Sequence, residues 1–250
     1  MREFFVDEVI GMKFNLFGPL HNTLTLIVIL GLYLIYRYRH RINNLSDKTK
    51  AIIKYLLIIV LYTNMFIYYN GFAYYGIYSW KKHLPIHFCY ISSFSFMIAL
   101  LFNKRNWYHV IYFFTFIGPV PAIIWPKMVS SFDCFIFYQW IISHHVFLLG
   151  SFFVYYMYDF HITKDDIKKV IVIANLIFLF ATIFNKVFDT NYIFSNEIPD
   201  YIFTLYPFLR SFNYPIILLE ITGSLMVGLA YIPVYLKEKE KIKKENLILE

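Results

Sequence analysis

The chain has 250 residues, of which 59% are hydrophobic, 22% aromatic and only 16% charged, with a formal net charge of +7. A soluble domain is about 45–50% apolar and about 25% charged, so one aqueous core cannot hold this excess, which falls in runs of about 20 residues, the length of a bilayer-crossing helix. A soluble enzyme, a nucleic-acid-binding module and a disordered chain are excluded, because the cations sit in short blocks beside apolar runs, where Lys and Arg mark the cytoplasmic side of a membrane.

The hydropathy pattern predicts an all-α polytopic bundle of seven spans, at 18–36, 52–72, 86–102, 109–125, 136–157, 169–188 and 214–236. The segment MREFFVDEVIGMKF ahead of the first lacks a cationic region followed by a short apolar core and a cleavage site, so no removable signal peptide is expected. His21 opens span 1 and is a candidate substrate contact. Span 3 opens with HLPIHFC, in which Pro85 suits the first helical position and His87 falls in the first turn. Free backbone N–H groups there favour anions, which places a neutral His87 beside a phosphate or a developing oxyanion. Cys89 is two residues, and so about 200°, further around the helix. A thiol nucleophile at Cys89 therefore needs a base from another span, His144 or His145; otherwise Cys89 is an inert small hydrophobe.

In span 4 the cluster GPVPAIIWP predicts a break, tolerated where neighbours or cavity water satisfy the freed backbone groups. Span 5 opens with FYQWIISHH, where Gln139 shares a face with Ser143, and Trp140 with His144. At the close of span 6, Asn185, Asp189 and Tyr192 form one stripe if the helix runs that far, with Asn191 beside it. Glu220 is six residues into span 7, about 9 Å at 1.5 Å per residue. A carboxylate at that depth is expected to turn inward, with Ser224 and Gly228 as a small-residue packing stripe.

Of the 23 Lys and Arg residues, 16 lie on the side of the loops after spans 1, 3 and 5 and of the C-terminus, and 7 on the other. This bias predicts an outer N-terminus and a cytoplasmic C-terminus, with residues 1–236 forming one membrane domain and 237–250 a solvated charged tail. Polar groups from five segments then crowd the outer leaflet, which is a site hypothesis because ionisable side chains in a bilayer are costly and usually face a cavity. Catalytic roles fall to His87, His144, Cys89 and Glu220, and substrate contacts to His21, Gln139, Asp189, Asn191 and Tyr192. No phosphate loop, GxSxG elbow, HExxH or CxxC motif is present, so neither cofactor nor metal is expected; a zinc site could only be assembled across spans.

The ordered blocks LFGPLH, LPIHFC, YFFTFIGPVPAIIWP, FYQWIISH, DTNYIF and YPIILLE resemble the YwaF-like bacterial integral membrane proteins over nearly the whole chain. Those are remotely similar to the eukaryotic transmembrane protein 164 group, seven-span proteins proposed to be cysteine-dependent phospholipid acyltransferases. The eukaryotic cysteine directly precedes a histidine; here Ile86 precedes His87, so the histidine carries over and the cysteine does not. The resemblance implies a multi-pass protein of a bacterial plasma membrane with membrane lipids as partners; neither a nucleic acid nor a protein partner is inferable. The leading expectation is a phospholipid or lysophospholipid acyltransferase or acyl hydrolase of the outer leaflet, with His144 as base, His87 at the oxyanion, Cys89 as possible nucleophile and Glu220 orienting a histidine. The alternatives are a small-solute carrier or ligand-binding membrane protein and a metal-dependent lipid hydrolase.

Overall fold

The computed structural model describes residues 2–6, 12–211 and 215–249, and no β-strand occurs among them. Asn213 and Tyr214, where the seventh predicted span begins, lie outside the described residues. The principal helices are α1 (Pro19–Arg37), α2 (Asp47–Tyr74), α3 (Phe88–Leu101), α4 (Arg105–Ile117), α5 (Pro119–Ile124), α6 (Phe135–Met157), α7 (Lys164–Phe188) and α8 (Pro215–Leu249). Six helical stretches are long and apolar enough to cross a membrane, with α4 and α5 counted as one. The predicted third span is shorter: α3 has 14 residues, about 21 Å against a hydrocarbon core of about 30 Å.

Helices α4 and α6 form the centre. Around α4 pack α3, α5, α6, α7 and α8, and α6 also meets α1 and α2. The shared core is aromatic, with Phe96, Tyr112, Phe113, Phe147 and Tyr155 fully buried. In contrast, α1, α7 and α8 present most of their apolar side chains outward, as helices at the lipid boundary do.

Local chemistry explains where the helices start and break. Ser46 caps α2 by accepting the Thr49 N–H at 3.2 Å. Thr163 and Asp166 form a reciprocal capping box at the start of α7. Asp166 also sits 3.3 Å from His109 Nδ1 on α4 and 3.1 Å from Lys169. Thr163→Ala is expected to cost about 1 kcal/mol, seen as a lower thermal midpoint in detergent with the fold retained.

The predicted break in span 4 is at Gly118, where Pro119 begins α5. A Cβ on Gly118 would lie 2.8 Å from the Cys89 backbone N and 3.0 Å from its Cα, so glycine lets this joint press directly onto the start of α3. In α6 the regular helix gives way to a π turn, Ile141–Val146, which alters the face relations predicted across Gln139, Ser143 and His144. Helix α7 stops at Phe188 because Asp189 takes the left-handed conformation, φ 53°. The expected stripe of Asn185, Asp189 and Tyr192 is therefore interrupted.

Helix α8 continues past Lys237. Its Lys237 ammonium donates to the Phe160 carbonyl at 2.7 Å and pairs with Asp159 at 2.6 Å, while Glu240 meets Arg39 at 2.6 Å. The packing face of α8 is Met226, Ala230 and Val234, with the Tyr112 hydroxyl of α4 donating to the Ala230 carbonyl at 3.0 Å. Residues 224 and 228 lie on the exposed side, so the Ser224 and Gly228 stripe is not the contact.

Candidate active site

Four elements meet at one end of the bundle: the start of α3, the α4–α5 joint, the π turn of α6 and the loop following α7. His87 occupies the residue before α3, and the Ile193 N–H of that loop donates to its Nδ1 at 3.2 Å. An imidazole nitrogen that accepts carries no proton, so neutral His87 holds its hydrogen on Nε2 and offers a donor. The ring is framed by Tyr192 and Phe194, with centroids at 5.2 and 5.5 Å.

His144 has the opposite arrangement. Its Nδ1 lies 3.0 Å from the Trp140 carbonyl and 2.9 Å from Ser143 Oγ. A carbonyl only accepts, which puts the proton on Nδ1 and leaves the lone pair on Nε2, free of hydrogen-bond partners among the described residues. The π turn packs against α3, and both His144 and Lys127 are near enough to act on the His87 ring electrostatically. The pair thus presents one fixed donor and one fixed acceptor on the same side of the protein.

Cys89 is a half-buried free thiol in the first turn of α3. Cys134 is in no disulfide among the described residues, and its thiol donates to the Val6 carbonyl at 3.2 Å. Gln139 is buried and reaches the Tyr90 hydroxyl at 3.5 Å. Nearby His83, ahead of α3, accepts the Ser79 N–H at 2.8 Å; burial holds its imidazole below the usual range, and the Lys82 ammonium acts in the same direction.

The other expected contacts are placed differently. His21 is buried and fully engaged, accepting the Phe17 N–H at 3.0 Å and meeting the Ile123 carbonyl at 2.7 Å; it ties α1 to α5. Asp189 is fully exposed, with Lys81 at 3.5 Å. The side chain of Asn191 closes its own turn onto residues 196 and 197. Tyr192 is buried, its hydroxyl donating to the Trp80 carbonyl and accepting the Leu84 N–H, so it fixes the segment leading to His87. Glu220, expected to turn inward, is instead exposed in a lateral groove between α7 and α8, alongside Asn175 and Thr182. The cause is the rotation of α8 that sets Met226, Ala230 and Val234 against α4.

The residue that organises the loop escaped prediction as a site residue. Asn185, wholly buried, donates to the Tyr192 carbonyl and to Ser195 Oγ, both at 2.8 Å. Its oxygen accepts from the Tyr192 N–H at 2.8 Å and from Thr190 Oγ1 at 2.7 Å. This holds Ile193 at φ 58°, a left-handed conformation that costs a β-branched residue about 1–3 kcal/mol. That conformation accompanies the Ile193 N–H bond to His87. An Asn at the end of an apolar span, four residues before another polar group, was the available signal.

Among the described residues no three His, Cys, Asp or Glu side chains are grouped to hold a metal ion. A protein-family model described as the TMEM164 family matches residues 16–231, a range that contains His87, Cys89, His144 and Asn185. No curated protein and no solved structure matches the chain.

Proposed function

The chain belongs to the TMEM164 family, and on that premise we propose that it is a membrane enzyme that transfers or hydrolyses phospholipid acyl chains. The observation that carries this reading is the opposed proton placement of His87 and His144. Acyl transfer needs a donor at the carbonyl oxygen, where negative charge develops, and a base for the attacking group. In this reading the His87 Nε2–H and the first-turn amides of α3 receive the oxyanion, and His144 Nε2 takes the proton from the attacking group, returning it to the leaving lysophospholipid oxygen.

The proposal includes seven crossings, with α3 and the segment before it as the shortest, and an outer N-terminus, as the 16 to 7 cation count favours. The site then serves the outer leaflet of a bacterial plasma membrane, in line with the YwaF-like resemblance. Purified protein in liposomes of labelled phospholipid and lysophospholipid is expected to move label between the two or release free fatty acid. Absence of both products would overturn the assignment. In the same assay Cys89→Ala separates two chemistries: retained transfer marks direct attack by the acceptor, and loss marks a thioester on Cys89. Glu220→Gln is expected to leave the rate within about twofold, the range of a substitution outside the working site, because its carboxylate lies in the lateral groove.

A further inference from the structure

At the opposite end of the bundle, Lys54 on α2 is only 7% exposed. Its ammonium donates to Asn103 Oδ1 at 3.1 Å and stands 4.7 Å from the centre of the Tyr55 ring. No carboxylate of the described residues is within ion-pair distance of it. Buried lysines are rarely left without a counter-charge, since desolvating an ammonium is costly unless it is paired.

Beside Lys54 is a cavity of about 60 Å³, lined by Lys54, Asn103, Lys104, Tyr108, Tyr158 and Phe160. A water needs about 10–15 Å³ of such space, so the cavity has room for the four oxygens of one tetrahedral oxyanion. Lys104 supplies a second cation from its rim, at the residue that precedes α4, and has no side chain capping that helix. The 13-residue α4 adds the positive end of its dipole. The turn that sets these groups is enforced: Asn103 has φ 52°, and the Lys104 N–H closes α3 by donating to the Ala99 carbonyl at 2.9 Å.

We infer that this pocket, formed by Lys54, Asn103 and Lys104 between the ends of α2, α3 and α4, binds a phosphate monoester or free phosphate that supplies the missing counter-charge of Lys54. Lysine is a regular phosphate partner as a point charge, and basic pockets between membrane helices hold lipid headgroups. The positive-inside count puts this end at the cytoplasmic leaflet, away from His87 and His144, so the inference stands independently of the acyl-transfer proposal.

The test uses full-length protein in phosphatidylcholine nanodiscs, with inorganic phosphate and phosphatidic acid as separate probes at fixed ionic strength. Saturable binding of either probe at one per chain is expected: phosphate alone identifies a soluble ligand, and phosphatidic acid alone identifies a lipid headgroup. Lys54→Met and Lys104→Gln are each expected to weaken that binding at least tenfold, whereas Lys54→Arg retains it. Lys104 is exposed, so its variant keeps the test decisive if Lys54→Met does not fold. Failure of both probes to saturate, or wild-type affinity in Lys104→Gln, would overturn the inference.

Discussion

His144→Ala is expected to lower acyl transfer by about 10²–10⁴-fold, the contribution of a positioned general base, while the protein remains folded. The imidazole is aimed by two contacts on Nδ1, the Trp140 carbonyl and Ser143 Oγ, both within its own helical segment. Its removal takes away the only lone pair those contacts orient toward the site. His87→Ala is expected to cost about 10²–10³-fold, the effect of removing one oxyanion donor. The two defects differ in kind: a strongly nucleophilic acceptor such as hydroxylamine bypasses part of the need for a base, and so restores His144→Ala more than His87→Ala. Initial rates in liposomes, with folding checked by size-exclusion elution, decide the matter. Wild-type rates in both variants would remove the assignment.

Asn185→Ala is expected to be the most damaging substitution for stability among the residues of this region. Its carboxamide makes four hydrogen bonds in a fully buried setting. Deleting it leaves the Tyr192 N–H and carbonyl without those partners, and each buried unsatisfied group costs about 1–3 kcal/mol. The sum is non-additive, so a loss of about 3–5 kcal/mol is expected, the size associated with breaking a buried network. Asn185→Asp keeps both acceptor contacts and loses the two donated bonds, so it should fall between wild type and alanine. Thermal unfolding in detergent measures the series. Activity should track the same order, since the Ile193 N–H that sets the His87 proton belongs to the loop Asn185 holds.

How much of this was legible in the sequence depends on the range of the interaction. The apolar runs were readable because a bilayer selects about 20 consecutive apolar residues wherever they pack. The Gly118 break was visible because glycine and proline act locally, but Pro85 does not open α3 as expected: the helix begins at Phe88, so Pro85 and His87 both lie ahead of its first turn. The polar runs that carry His87 and His144 were visible as HLPIHFC and FYQWIISHH. The proton placement of these histidines was not, because it depends on Ile193, 106 residues away, and on a carbonyl presented by the π turn.

Errors of facing have two origins. A wheel drawn at 3.6 residues per turn assumes an unbroken helix, and the π turn in α6 and the left-handed Asp189 after α7 each rotate the residues on their C-terminal side out of phase with the wheel. Glu220 shows a second cause: lone polarity and a small-residue stripe suggested an inward face, but only α4 decides which side of α8 is covered. It chose the side where Ala230 exposes its carbonyl to Tyr112.

By itself, then, the sequence determined a helical membrane protein and the approximate place of its helices, because solvent transfer and backbone stereochemistry act over a few residues. Tertiary structure alone decided that His21 ties two helices together, that Asn185 shapes the loop, that Glu220 stands in a lateral groove, and that the Ile193 N–H reaches His87. Those outcomes depend on contacts between segments far apart in the chain, which fix a side chain's neighbours and, through them, the atom on which its proton rests.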